Sequence, residues 1–362
     1  MKRSLSQLDS VELEQAIAEC VQQIEANPQS AEANANLADL YAQQQRWQLA
    51  IKHYRQAITL QPDFESIYKT LADLLLQQGK DEEAIKVYRQ GVKNNPQNSN
   101  YLFALASALE AQNKWLRASN NYQQAAKLEP SARVYYHWGL VDYKRQEYDQ
   151  ARSHLKQAAE LEPSAKIYYY WGLTCFKLQE YDEAESCWKE AIAIKPNYAL
   201  PYYQLGRLWQ NQQQWQQAIS AYRQVISIKP EFVQALSKLG AVYRHLQQFD
   251  LAISCLRQAI EHVTQQDVAQ ELAVTGDRLT LVDDLPVTVD LYFQLGKVLR
   301  AKGSFPEAIT AYLQSIQLDP GFKSSYIDLQ YTPIAKEQFP EVIKVYRQIV
   351  TEHPEITLAW GN

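Results

Sequence analysis

ALPYYQLGRLWQNQQQWQQAISAYRQVISIKPEF, residues 199–232, holds two short runs of helical periodicity and a stop. Large apolar and small residues fall at Tyr202, Leu205, Gly206 and Trp209, then at Ala218, Tyr222 and Val225. Spacings of three and four place each group on one face of a helix. The stretch therefore reads as a helix, a polar turn around Asn211 to Gln214, a second helix, and a proline stop at Pro230. Neither helix can hide its apolar face alone, so the pair needs neighbours of its own kind.

The neighbours are marked by prolines. Pro28, Pro62, Pro96 and Pro130 lie 34 residues apart, Pro163 and Pro196 follow at intervals of 33, and Pro230 at 34; Pro320 and Pro354 are again 34 apart. With the proline as position 32 of a unit, position 8 is Ala38, Ala72, Ala106, Gly139, Gly172, Gly206, Gly240 and Gly296. Position 20 is Ala50, Ala84, Ala118, Ala151, Ala184, Ala218, Ala252 and Ala308. Small residues at both positions let two helix backbones approach, and a larger one would overpack the contact. Position 24 is an aromatic or leucine, as in Tyr54, Tyr88, Tyr122, Leu155 and Trp188, and is expected to be core.

This period with these offsets resembles the tetratricopeptide repeat family over nearly the whole chain. The resemblance implies an all-α fold, a right-handed α-solenoid of tandem helix-turn-helix units. The expected organisation is a capping helix in 1–30, seven units over 31–266, an insertion at 267–288, and two further units over 289–356. Residues 357–362 match the start of a truncated next repeat. Pro320 lies 90 residues after Pro230, which is two periods and the 22 residues of the insertion. In the last unit Pro333 falls inside the first helix and is expected to kink or break it.

Composition excludes several function classes. The net charge of -5 argues against a general nucleic-acid footprint. The closest pair of glycines, Gly296 and Gly303, is seven residues apart, which rules out a phosphate-binding glycine loop or dinucleotide fingerprint. Cys20, Cys175, Cys187 and Cys255 are scattered, which fits buried thiols in a reducing compartment, and a cytoplasmic location is expected. No run of 18 apolar residues exists, so no membrane insertion is expected. The six histidines form no HExxH and no Cys–His metal spacing, and no GxSxG is present. No catalytic residue, metal or cofactor is expected.

The resemblance also implies that the first helices line a concave groove through positions 2, 5, 6, 9, 12 and 13. Read at those positions, the middle units carry Tyr136, Tyr143, Tyr169, Tyr170, Phe176 and Tyr203. The clusters Tyr135-Tyr136-His137-Trp138 and Tyr168-Tyr169-Tyr170-Trp171 hold more rings than one helix face can bury, because adjacent residues point different ways. Tyr136, Tyr169, Tyr170 and Tyr203 are therefore expected on the groove wall, where exposed rings anchor peptides. Asp39 and Asp73 make the N-terminal stretch acidic; Lys144, Lys177, Arg207, Lys238, Arg244, Lys297 and Arg300 make the middle and C-terminal stretch basic. The family's chaperone-tail clamp does not transfer, since position 6 reads Asn36, Thr70, Ala104, His137, Tyr170 and Gln204 in the first six units.

The expected function is a scaffold or adaptor that binds a protein or peptide with apolar and acidic residues in that groove. The alternative is the substrate-recruiting front part of a larger transferase. Self-association through an uncapped C-terminal end is a third expectation.

Overall fold

A computed structural model describes residues 10–269 and 287–352. Most of the insertion and the six residues that match another repeat lie outside them. Every regular element among the described residues is helical. The chain divides into two compact units, Met1–Cys187 and Trp188–Asn362.

The first unit opens with α1 (Ser10–Ala26), whose Leu13, Ile17, Cys20 and Ile24 pack on Leu37 and Leu40 of the next helix. Pairs follow at the expected register: α2 (Ala31–Gln43) with α3 (Trp47–Leu60), α4 (Glu65–Gln77) with α5 (Asp81–Asn94), α6 (Ser99–Ala111) with α7 (Trp115–Leu128), and α8 (Ala132–Lys144) with α9 (Tyr148–Leu161). Then come α10 (Ala165–Lys177) and α11 (Tyr181–Ile194). The second unit holds α12 (Ala199–Asn211) with α13 (Trp215–Ile228), α14 (Val233–His245) with α15 (Phe249–Ala269), α16 (Val287–Lys302) with α17 (Phe305–Leu318), and α18 (Lys323–Gln330) before α19 (Phe339–Glu352). α18 stops three residues before Pro333, and a 3-10 turn at Lys336–Gln338 leads into α19. The proline thus breaks the helix rather than riding inside it, as loss of its N–H and its clash with the preceding turn require.

Local sequence explains where helices begin and reverse. Ser30, Asn98, Ser131 and Ser164 cap α2, α6, α8 and α10, each accepting a hydrogen bond from a backbone N–H in the first turn. The turn inside each of the first eight pairs places one residue in the left-handed region: Gln45, Gly79, Asn113, Gln146, Gln179, Gln213, Gln247 and Gly303. In the pair α12–α13 the N–H of Gln214 donates to Trp209 O at 2.8 Å and that of Gln213 to Gln210 O at 3.1 Å. These are the two bonds of a Schellman turn, which satisfy carbonyls that the ending helix leaves open.

The helices of a pair approach closely at both small positions. All eight position-20 alanines have no exposed area. A Cβ on Gly206 would stand 2.6 Å from the Tyr222 ring, and one on Gly296 would stand 2.6 Å from the Tyr312 ring. In α2, α4 and α6 the same position is alanine; at Gly206 and Gly296 the opposing ring takes the space a Cβ would need.

Candidate functional site

Neighbouring first helices touch one another within each unit: α6 with α8 and α8 with α10 in the first, α12 with α14 and α14 with α16 in the second. Their outward positions therefore form a face in each unit. Near its start this face holds a cleft of about 960 Å³ lined by Ala42, Ser66, Lys69, Thr70, Asp73 and Asn100, among others. Those six occupy the groove positions read from the sequence.

The acidic groups of this face are held from behind. Tyr54 donates to Asp39, Tyr88 to Asp73 at 2.5 Å, Tyr122 to Glu110 at 2.6 Å, and Tyr222 to the Gln210 carbonyl oxygen at 2.8 Å. All four donors are position-24 tyrosines, whose rings are core as expected; the acceptors stand at position 9 or 12 of the same unit. Periodicity places the ring but says nothing of where the hydroxyl ends, so these bonds are not legible in the sequence. Burial raises the Asp39 carboxyl above its ordinary range, outweighing the opposing hydrogen bond from Tyr54.

The aromatic residues divide. Tyr136 and Tyr170 are half-buried and meet edge to face at 6.0 Å, joining α8 to α10. Tyr143 and Phe176 are half-buried and lean on Tyr148 and Tyr181 across their own turns, at 5.6 and 5.5 Å. Lys144 and Lys177 beside them are exposed. Tyr169 and Tyr203, expected on the wall, are instead buried, with 2% and 4% of their surface accessible. Position 5 turns inward: Tyr203 packs on Tyr222 and Phe232 of its own repeat, and Phe293 does the same on Tyr312 and Phe322. The wall is therefore narrower than the sequence indicates. Its aromatic part is made of position 6 and position 12 side chains, with Tyr136 the one half-exposed position-5 ring of the middle.

The cations of the second unit are placed unevenly. Lys238 is exposed. Arg207 lies 6.0 Å from the Tyr203 ring and donates to Gln204. Lys297 sits 5.0 Å from the Phe293 ring, and Arg300 is paired with Asp328 at 3.3 Å. Arg244 is half-buried.

Two clusters invite a catalytic or metal reading, and geometry speaks against both. Asp142 is fully buried and binds His154 Nδ1 at 2.8 Å and Ser119 Oγ at 3.3 Å, while Trp138 donates to Ser119 Oγ at 2.9 Å and stacks on His154 at 3.6 Å. The carboxylate stands between serine and histidine. A nucleophilic hydroxyl needs the imidazole beside it and the acid behind. Cys175, Glu180 and Glu183 bring ligand atoms within 4.8 Å of one another. Glu180 is committed to Arg152, and Glu183 accepts from Trp171 Nε1 at 3.1 Å, so the carboxylates already hold partners.

Sequence models of the tetratricopeptide repeat match residues 2–63, 42–109, 132–165, 165–198, 203–267 and 289–322. Among solved structures, the C-terminal part of a TPR repeat-containing protein from Cytophaga hutchinsonii is similar with 16% identity and a TM-score of 0.53, over 63% of this chain and 94% of that one. YrrB, described as a TPR protein with an unusual peptide-binding site, aligns with 20% identity and a TM-score of 0.46 over 52% of this chain and 98% of its own. The Cut9–Hcn1 structure aligns with 18% identity and a TM-score of 0.48; 88% of this chain spans 58% of that one. No match is found among curated proteins. No helix among the described residues is long and apolar enough to cross a membrane.

Proposed function

The chain belongs to the tetratricopeptide repeat family, and from that premise we propose that it is a non-catalytic scaffold whose first helices hold a segment of a partner protein. The observation that carries this reading is the half-buried pair Tyr136 and Tyr170, which bridges α8 and α10 at 6.0 Å with exposed Lys144 and Lys177 on the same two helices. Rigid rings with one accessible face give contact area at little cost in side-chain freedom. Flanking lysines add attraction for acidic residues and speed encounter.

The test is selection of peptides from a displayed library against the full chain. Tyr136→Ala combined with Tyr170→Ala is expected to weaken the selected peptides about tenfold or more, the scale of losing one interface anchor, with helicity by circular dichroism unchanged. Equal binding by variant and parent removes the aromatic face from the reading.

Self-association is a second reading favoured by one observation. Ile327 of α18, Tyr331 just after it, and Phe339, Ile343 and Tyr346 of α19 are all exposed. Exposed apolar side chains concentrated on two consecutive helices mark contact surfaces. Light scattering over a wide concentration range is expected to show growth in mass; a constant single-chain mass eliminates it.

A further inference from the structure

At position 24, Tyr54, Tyr88, Tyr122 and Tyr222 each find a hydroxyl acceptor in their own unit, and Tyr312 departs from that pattern. Its ring has no exposed area and is pressed against Gly296. Its hydroxyl is buried with no hydrogen-bond partner. The reason lies in the two positions that supply the acceptor elsewhere. Position 9 here is Lys297 and position 12 is Arg300, where earlier units have Asp39, Asp73, Glu110 and Gln210. Lysine and arginine carry donors only. Position 12 of the preceding unit adds Arg244, whose Nε is also buried without a partner.

The groups form one array. Burial, and after it Asp328, push the Tyr312 phenol's pKa up, and Arg300 and then Arg244 lie close enough to oppose that rise without cancelling it. Asp328 offsets one cation, through its backbone and side-chain oxygens at 3.3 Å from Arg300. Asp290, at position 2 of the same unit, is engaged by the Gln294 amide at 3.3 Å. What remains is a concentration of N–H and O–H donors, with more positive than negative charge, on the face that earlier repeats furnish with acceptors. Orphaned buried donors of this kind cost free energy that an acceptor would recover.

We propose that Arg244, Lys297, Arg300 and Tyr312 form a subsite for a carboxylate on the bound protein segment, an Asp or Glu side chain. This rests on the reading that first helices hold such a segment, and it specifies what the second unit selects. The planar fork of Arg244 matches a carboxylate with two parallel bonds, while the fork of Arg300 is shared with Asp328. The cations meet the ligand first, and the covered phenol donates once their side chains part.

The probe is a short labelled peptide that alternates glutamate with leucine and alanine, amidated at its C-terminus, against a copy with glutamine in place of glutamate. Fluorescence anisotropy with the full chain reads the affinity. The glutamate peptide is expected to bind about tenfold tighter than the glutamine copy, and less so as salt is raised. Arg244→Gln is expected to remove that preference. Arg300→Gln is expected to do the same while keeping or raising the melting temperature, because its amide gives Tyr312 the acceptor that Gln210 gives Tyr222. Lys229→Gln makes an equal charge change outside the array and is expected to leave the preference intact. Equal affinity for the two peptides overturns the proposal, as does a preference that survives both arginine variants, or one that Lys229→Gln reduces as much. Binding of inorganic phosphate without binding of the glutamate peptide overturns it too, by showing a free-anion site. None of these results touches Tyr136 and Tyr170, whose own test lies in the first unit, so the two readings fail separately.

Discussion

Asp142→Ala is expected to destabilise the helix pair α8–α9 by about 3–5 kcal/mol, the cost of breaking a buried charged network by removing one member. The carboxylate has no exposed area, and it joins His154 at 2.8 Å, Ser119 at 3.3 Å and Arg145 at 3.5 Å. Its loss leaves the His154 ring, trapped under Trp138, with an unmatched nitrogen. Other repeats show that the site does not need charge. In α4–α5 the equivalent residues are Leu75 and Val87, both buried. The double variant Asp142→Leu with His154→Val is therefore expected to recover most or all of the loss, since well-packed apolar side chains replace buried ion pairs at little cost. Arg145 keeps Glu147 at 2.7 Å, and Ser119 keeps the Trp138 donor. Urea melts of the three proteins check the order, and amide exchange in α8 and α9 checks that the effect is local, because repeat arrays need not unfold all at once. A single variant as stable as the parent, or a double variant no better than the single one, contradicts the account.

Tyr122→Ala is expected to cost a similar amount, about 3–5 kcal/mol, because a large buried ring is lost and its space is only partly refilled. The ring has no exposed area and packs against Phe103 at 5.5 Å and His137 at 6.0 Å. Tyr122→Phe separates the hydroxyl from the ring. It keeps the packing and removes one bond to Glu110, at about 1–3 kcal/mol for a charged acceptor. Glu110 still faces His137 Nδ1 at 3.3 Å, so it is not left bare. Thermal and urea unfolding distinguish the two; an alanine variant that loses no more than the phenylalanine one would place the ring outside the core.

The face proposed for binding was only partly legible in the sequence. Lys144, Lys177 and Lys238 are exposed, and Tyr136, Tyr143, Tyr170 and Phe176 keep part of their surface, as position alone indicates. Tyr169 and Tyr203 share position 5 with Tyr136 and yet are buried. Spacing along one helix gives the angle at which a side chain leaves the axis, and these residues leave at the same angle. Whether the ring then meets water depends on how far the second helix and the following loop reach over it, as Tyr222 and Phe232 do over Tyr203. No pattern within thirteen residues of α12 contains that information.

What the chain's own order of residues determined is the repeat: proline stops, small residues at positions 8 and 20, and an aromatic at 24 specify helix pairs and their register. They act locally or between nearest neighbours, through backbone geometry and clearance, so they can be read in line. Tertiary structure alone decided where the position-24 hydroxyls end, that Asp142 is matched by His154 and Ser119, and that Tyr312 is left among donors. Those outcomes depend on side-chain reach between elements that are distant in sequence, and hydrogen-bond matching in a buried site is set by the whole shell around it rather than by any one strip of the chain.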